Sequence, residues 1–190
     1  FPFSISETFQ QRNTNKSIDQ ALIELQEIQN ICVNSNKSLV TYISMGFGNP
    51  YNDIYNEDLV LHYAEQLIAL GINTISLSDT IGVSNRENIT TIFQSLIREF
   101  PSVEFGAHLH SNPNTSLDKI DAAYQAGCRR FDGAIKGYGG CPMAKDELVG
   151  NLATETLLSY LKMNDIETGL NMQAFNESML MTNSVFPATS

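Results

Sequence analysis

The sequence has no long apolar run and little positive charge. No window of the 190 residues approaches the roughly 18 uninterrupted apolar residues that a membrane-spanning helix needs. The opening segment FPFSISETFQ has neither a basic start nor an apolar run, so a signal peptide is not expected. The net charge is −10, and the longest basic run is the pair Arg129-Arg130. A nucleic-acid-binding groove is therefore not expected either.

Cysteine is scarce, with only Cys32, Cys128 and Cys141 in the chain. Their odd number and wide spacing argue against a disulfide framework and favour a reducing compartment. The bacterial cytoplasm is the expected location, and the mitochondrial matrix stays open because a transit peptide would precede Phe1. Cys32 and Cys128 are predicted to be small buried apolar residues, the first on a helix and the second at the start of a strand.

Short β-branched runs alternate with amphipathic helical runs, roughly one unit per thirty residues. Repeated units of this kind imply parallel strands joined by helical crossovers. We therefore predict one α/β domain over residues 1–190, with 163–190 as a C-terminal extension. The pattern allows either a small doubly wound sheet or part of a (β/α)₈ barrel. The predicted strands are 38–44, 72–79, 103–110 and 129–135.

Capping residues mark where the helices begin and end. Ser17 with Gln20, and Ser84 with Glu87, have the spacing of capping boxes. Asn56 is a predicted N-cap, and its helix should run to Leu70 and stop at Gly71. A last helix is predicted from about Thr154 to Lys162.

The segment HLH at the end of a predicted strand is the strongest chemical signal. Side chains alternate along a strand, so His108 and His110 should project to one side with Leu109 opposite. Two imidazoles about 7 Å apart along the strand can chelate one divalent ion. The alternative, given equal weight, is a pair of hydrogen-bonded histidines in a polar strand end. His62 lies on a predicted helix and is expected at the surface.

Two imidazoles do not complete a metal site, so an oxygen donor is needed from another strand end. Asp79 in SLSDTIG and Asn151 in GNLATE are the candidates. An amide oxygen suits Mg²⁺ or Mn²⁺. Asp79 could equally form a turn before the next helix, and Asn151 could cap a helix entry.

The segment KGYGGCPMAKDELVGNLATE places Cys141 in a glycine-rich loop. A thiol near a divalent ion can have a lowered pKa and act as an acid or base. Gly137, Gly139 and Gly140 would let such a loop close over a substrate. The alternative is a turn-rich surface connection.

Taken together, SLSDTIG, AHLHS and KGYGGCPMAKDELVGNLATE resemble the hydroxymethylglutaryl-CoA lyase family, part of the DRE-type metallolyase group of TIM barrels. The resemblance runs from about Ser6 to Lys162. It implies a (β/α)₈ barrel, of which this chain holds roughly the second half, in four to five βα units. It also implies an acyl-CoA substrate and a divalent metal, Mg²⁺ or Mn²⁺. The implied reaction cleaves 3-hydroxy-3-methylglutaryl-CoA to acetyl-CoA and acetoacetate in leucine catabolism.

The same resemblance implies roles for individual residues. His108, His110 and Asn151 would be metal ligands, and His108 would also belong to the catalytic set. Cys141 would be the acid or base of the loop. Asp79 would be a pocket residue directed toward the substrate or a metal-bound water.

The sequence also departs from the family pattern. The family carries an Arg-Asp pair on its first strand and a Glu on an early strand, and none of these has a counterpart here. We expect either a further N-terminal half of the barrel or a partner chain, such as a homodimer, to complete the fold. Two alternative functions stay open: a Claisen-type synthase that uses acetyl-CoA and a 2-oxo acid, and an inert fragment or binding module. Neither a nucleic acid nor a membrane is expected as a partner.

Overall fold

The computed structural model describes residues 1–139 and 149–186. Its strands are β1 (Pro2–Ser4), β2 (Val40–Ser44), β3 (Thr74–Ser78), β4 (Glu104–His108), β5 (His110–Ser111), β6 (Arg130–Phe131) and β7 (Gly150–Asn151). Five of them form a parallel sheet in the order β1-β2-β3-β4-β6, and β5 pairs with β7 in a second, antiparallel sheet. The predicted α/β class with parallel strands is confirmed.

In the part of the chain that the structure describes, five helices connect successive strands of the main sheet, and two more follow the last strand. They are α1 (Glu7–Thr14), α2 (Ile18–Asn34), α3 (Glu57–Ala69), α4 (Arg86–Glu99), α5 (Ser116–Gln125), α6 (Thr154–Met163) and α7 (Met172–Val185), with a 3₁₀ turn at Ile135–Gly137. No helix in the described ranges has both the length and the apolar content to cross a bilayer.

The predicted helix ends are mostly correct, with one exception. Ser17 and Gln20 form the expected capping box, and Asn56 caps α3. At α4 the prediction was wrong by one residue, because the capping box joins Asn85 to Asn88. Ser84 is not available as a cap, since its hydroxyl donates to Asp79.

All four predicted strands are shorter than expected, and two of them are also changed by contacts outside the main sheet. The run 103–110 breaks at Leu109, whose carbonyl accepts from the amide of Leu152 at 3.1 Å, outside the main sheet. The run 129–135 keeps only β6, because Ala134 pairs with Ala153 in an isolated bridge instead of extending the strand. Contacts with the segment around β7 therefore reshape both strand ends.

Both termini of the described chain contain elements that the pattern did not predict. β1 pairs with β2 and places Phe3 opposite Ile43. Beyond α6, helix α7 covers half of the predicted C-terminal extension. A three-residue strand is too short for a periodic signal.

Cys32 and Cys128 lie in the described ranges and differ in burial. Cys128 is buried, and burial raises the pKa of its thiol to about 12. Cys32 is only half-buried, so the prediction of burial was wrong for this residue. His62 is exposed on α3, as predicted.

The main sheet has one apolar face and one polar face. Phe3, Ile43, Leu77 and Ala107 lie in register across four strands, and all four are buried in the principal hydrophobic core. One residue further along β3 and β4, Ser78 is paired with His108 on the opposite face. This alternation brings polar side chains together at the carboxyl ends of the strands.

Candidate metal centre

His108 and His110 lie beside each other where β4 gives way to β5. Their ring centroids are 5.5 Å apart. Leu109 between them is only 1% exposed and belongs to the core. The strand alternation therefore produces the predicted arrangement, with two imidazoles together and the leucine directed elsewhere.

Asn151 joins the two histidines through the small second sheet. It is the register partner of His110 across β5 and β7. Its Nδ2 donates to the carbonyl of Tyr138 at 2.8 Å, which fixes the orientation of the amide. The Asn151 side chain also interacts with the His110 imidazole. The three predicted metal ligands thus lie together, although they come from separate strands.

The environment of His110 suits a neutral metal ligand. The residue is 5% exposed, and within the described parts of the chain its Nδ1 is buried without a hydrogen-bond partner. Burial lowers the pKa of His110, and the neighbouring His108 lowers it further. A neutral imidazole with an unused ring nitrogen can coordinate a cation.

His108 is held by two groups that the sequence analysis did not single out. Its Nδ1 lies 3.4 Å from Oδ2 of Asp132, and the ring of Tyr42 stands edge-on at 5.5 Å between centroids. Burial alone would raise the pKa of Asp132, but the interactions with His108 and Tyr42 outweigh it and lower that pKa. Asp132 directly follows β6 in the structure, but the predicted strand ran to residue 135, so the strand-end rule that singled out Asp79 did not select it.

Asp79 is fully buried behind the histidines and is bonded on both carboxylate oxygens. Oδ1 accepts from the amide of Ser84 at 3.1 Å, and Oδ2 accepts from the hydroxyl of Ser84 and from Nζ of Lys119, the latter at 2.7 Å. The structure brings Asp79 close to the centre, but its carboxylate bonds to protein groups. Contact with substrate stays a prediction for this residue. Lys119 gave no sequence signal, because a lysine on an amphipathic helix is ordinarily exposed.

A small open cavity lies in front of the histidines. Its volume is about 190 Å³, and it is lined by Pro2, Tyr42, Ser44, Ser78, Thr80, His108 and His110. A much larger cavity of about 820 Å³ lies between α6 and α7 and shares no lining residue with the smaller one. We take the smaller cavity as the candidate site because it contains the titratable and ligating side chains.

Two glycines pack directly against Asn151 before the cysteine-containing segment. Gly137 and Gly139 have positive φ values of 65° and 82°. A Cβ on Gly137 would lie 2.8 Å from the Asn151 carbonyl oxygen, and one on Gly139 would lie 3.0 Å from its Nδ2. At these positions glycine permits close approach to the candidate ligand. Gly140 and Cys141 lie outside the described residues.

The donor set is small. Within residues 1–139 and 149–186, no cluster of three or more His, Cys, Asp or Glu side chains could hold a metal ion. A cation at this site would therefore rest on two imidazoles and one amide oxygen from the described chain. Such a set is chemically suited to a divalent ion but leaves coordination positions for other ligands.

Comparisons with known proteins agree on one family. A family model described as HMGL-like matches residues 1–180. Hydroxymethylglutaryl-CoA lyase YngG of Bacillus subtilis is 35% identical over 170 residues, which cover 90% of this chain and 56% of that protein.

Solved structures give the same result. The crystal structure of the Bacillus subtilis HMG-CoA lyase superposes with a TM-score of 0.89 at 32% identity, covering 97% of this chain and 61% of that chain. An HMG-CoA lyase from Acinetobacter baumannii in complex with coenzyme A and 3-methylmalate has a TM-score of 0.85 at 26% identity, covering 97% and 60%. The chain spans about half the length of the curated relatives it matches.

Proposed function

The chain belongs to the HMGL-like family, and on that premise we propose that it is part of a divalent-metal-dependent carbon–carbon lyase. The proposed reaction cleaves 3-hydroxy-3-methylglutaryl-CoA to acetyl-CoA and acetoacetate, a step of leucine catabolism. The observation that carries the proposal is the meeting of His108, His110 and Asn151 at one edge of the sheet. The relatives are named hydroxymethylglutaryl-CoA lyases, which supports the choice of this substrate.

The residues of the site fit a divalent cation, Mg²⁺ or Mn²⁺. His110 has a buried Nδ1 without a partner in the described chain, and its lowered pKa keeps the ring neutral. Because Nδ2 of Asn151 donates to Tyr138, the amide oxygen is the atom of this side chain that would coordinate a cation. When bound, such a cation polarises the hydroxyl and carbonyl oxygens of a substrate and lowers the pKa of the hydroxyl.

Asp132 and Tyr42 orient His108, the partly exposed candidate ligand. A carboxylate beside Nδ1 of His108 leaves Nε2 as the nitrogen that would coordinate a cation. The Tyr42 ring limits rotation of the imidazole from a second side. These contacts favour one ring orientation and one tautomer.

The proposed reaction itself consists of two proton transfers and the cleavage of one carbon–carbon bond. The tertiary hydroxyl of the substrate gives its proton to a general base, the carbon–carbon bond breaks to leave the ketone of acetoacetate, and the electron pair of that bond forms the enolate of acetyl-CoA. That enolate then takes a proton at carbon, which we assign to the thiol of Cys141. The assignment rests on the family resemblance.

The cavity in front of the histidines limits what can enter. About 190 Å³ is below the roughly 300–1,000 Å³ of typical ligand pockets. It is large enough for the branched acyl end of the substrate, while coenzyme A would extend beyond it. The Acinetobacter baumannii lyase with bound coenzyme A and 3-methylmalate supports an acyl-CoA ligand.

We further propose that the parallel sheet is about half of a (β/α)₈ barrel. Strands β1 and β6 each pair on one side only in the main sheet. Open edges of a parallel sheet are covered in stable proteins, either by further strands of the same polypeptide or by a second subunit. Under this proposal, those strands or that subunit would also supply the remaining metal ligand and a cationic group for the substrate. A bacterial cytoplasmic location remains part of this proposal.

The decisive experiment combines Mn²⁺ titration of the chain with product analysis on the protein in which further strands or a second subunit complete the barrel. We expect Mn²⁺ binding that is lost in His108→Ala, and acetoacetate release from 3-hydroxy-3-methylglutaryl-CoA. Free thiol released from acetyl-CoA with a 2-oxo acid would instead identify a Claisen-type synthase. Absence of Mn²⁺ binding by the folded chain would identify an inert fragment.

The role of Cys141 has a separate test. Cys141→Ala should lower turnover far more than it lowers Mn²⁺ affinity, because the thiol is assigned to proton transfer and not to coordination. Cys128→Ala is the matched control, since Cys128 is a buried thiol with a raised pKa. Equal losses of turnover and affinity in Cys141→Ala would mean that the thiol is structural.

A further inference from the structure

Lys119 is a buried lysine on α5. Its side chain is 4% exposed, and its partner Asp79 is 0% exposed. Lysine is almost never fully buried unless it is paired. Both residues lie at the carboxyl edge of the main sheet, directly behind the candidate metal centre.

All three donors of the Lys119 ammonium have acceptors. Nζ donates to Oδ2 of Asp79 at 2.7 Å, to the carbonyl of His110 at 2.8 Å and to the carbonyl of Gly82 at 3.4 Å. An ammonium group has three N–H donors, and these three contacts satisfy all of them. One of the three acceptors is the backbone carbonyl of His110, a candidate metal ligand.

The backbone of Asp79, the partner of Lys119, contacts the second histidine, His108. The backbone amide of Asp79 donates to the carbonyl of His108 at 2.9 Å. The carbonyls of both histidines are therefore held by the Asp79–Lys119 pair. The carbonyl of Leu109 between them turns the other way and accepts from Leu152 at 3.1 Å, next to Asn151. Hydrogen bonds thus fix the 108–110 segment on two sides.

Stability alone is a weak reason for this arrangement. Removing two charges from water costs several kcal/mol per ion, and apolar residues of similar volume often stabilise a protein equally well or better. The exposed ion pairs of Arg86 with Asp118 and Asp121 already connect α4 to α5. The contact with the His110 carbonyl is what an apolar replacement of Lys119 could not provide.

We propose that Lys119 is a positioning residue that, together with Asp79, sets the spacing of the two imidazoles by fixing the backbone carbonyls of His108 and His110. Its function at a metal centre rests on the proposed function. The contacts themselves do not depend on a bound metal. Asp79 then acts on the histidines from behind, through Lys119 and through its own amide.

The test compares three variants of the chain by Mn²⁺ titration and by amide hydrogen exchange without metal. Lys119→Met removes the donors but leaves the Asp79 charge buried and unpaired. The double variant Asp79→Asn with Lys119→Met removes that charge as well, so it should recover stability. Arg86→Met is the matched control, because it breaks ion pairs of α5 that lie away from the histidines.

We expect both Lys119 variants to bind Mn²⁺ about ten- to a hundredfold more weakly, as is usual when a group that supports a ligand is lost. Arg86→Met should keep the unmodified affinity. In the double variant, exchange at residues 79 and 152 should accelerate while Ile75, in the centre of β3, stays slow. In the unmodified chain the amides of Asp79 and Leu152 should exchange as slowly as that of Ile75.

A folded double variant with unmodified Mn²⁺ affinity and unchanged exchange at residues 79 and 152 would overturn the proposal. Rapid exchange of those two amides in the unmodified chain would overturn it too, and this measurement needs no variant. If the unmodified chain binds no Mn²⁺, the proposed function fails, whereas the exchange data still decide whether Lys119 holds the histidine segment.

Discussion

The two faces of the main sheet differ in chemistry although they alternate along the same strands. On one face, Leu77 and Ala107 pair in register and are buried among the helices. On the other face, the next pair in register is Ser78 with His108, at the candidate centre. A shift of one residue along a strand therefore separates the hydrophobic core from the chemistry.

The comparison teaches that stability and ligand binding should respond to different substitutions in this protein. Apolar residues buried under helices contribute free energy of unfolding in proportion to the area removed from water. Polar residues on the opposite face contribute little packing but provide ligand groups. The following predictions test this separation from the largest expected effect to the smallest.

Replacing His108 by Ala should abolish Mn²⁺ binding, because the change removes one of two imidazole ligands. Its side chain is 33% exposed, so the free energy of unfolding should change by less than about 1 kcal/mol. Isothermal titration and urea unfolding measure the two quantities on the same sample. A variant that loses stability in proportion to its metal affinity would contradict the separation of the two faces.

Leu77→Ala should lower the free energy of unfolding by about 2–5 kcal/mol, since it leaves a cavity in a fully buried part of the core. Ser78→Ala, one residue later on the opposite face, is the matched control and should cost less than about 1 kcal/mol. Urea denaturation of both variants checks the difference. Similar losses for the two would show that the faces do not differ in packing.

Asp132→Asn should weaken Mn²⁺ binding about tenfold, because it removes the carboxylate beside His108 while keeping the shape of the side chain. Glu104→Gln, which only loses an exposed ion pair with Arg130, is the control and should keep the affinity. The measurement is again a Mn²⁺ titration. An unchanged affinity in Asp132→Asn would remove Asp132 from the site.

Tyr55 packs against the hydrophobic core, so the pH dependence of the free energy of unfolding reports on its burial. Burial raises the pKa of Tyr55 from 10.0 to about 12, and its hydroxyl donates to the carbonyl of Gly46 at 3.0 Å. The folded state keeps this proton more tightly than the unfolded state, so the stabilising contribution is present below pH 10 and is lost as the pH rises toward about 12. In Tyr55→Phe the free energy of unfolding should fall less steeply over that range. Equal slopes in chemical denaturation would contradict the prediction.

The sequence by itself determined the elements that rest on local periodicity and local hydrogen bonds. The Ser17–Gln20 capping box and the Asn56 cap are satisfied within one turn of their helices. That His108 and His110 project to the same side is what strand alternation predicts. Each of these depends on residues that are close in the chain, so the pattern carries the information.

Only the tertiary structure decided which distant groups meet at the centre. The Asp79–Lys119 pair joins positions 40 residues apart, and Asp132 reaches His108 from another strand. Burial of Lys119 could not be foreseen, because an isolated helix would expose it. Sheet order and helix packing fix such contacts, and no local pattern along the chain encodes them.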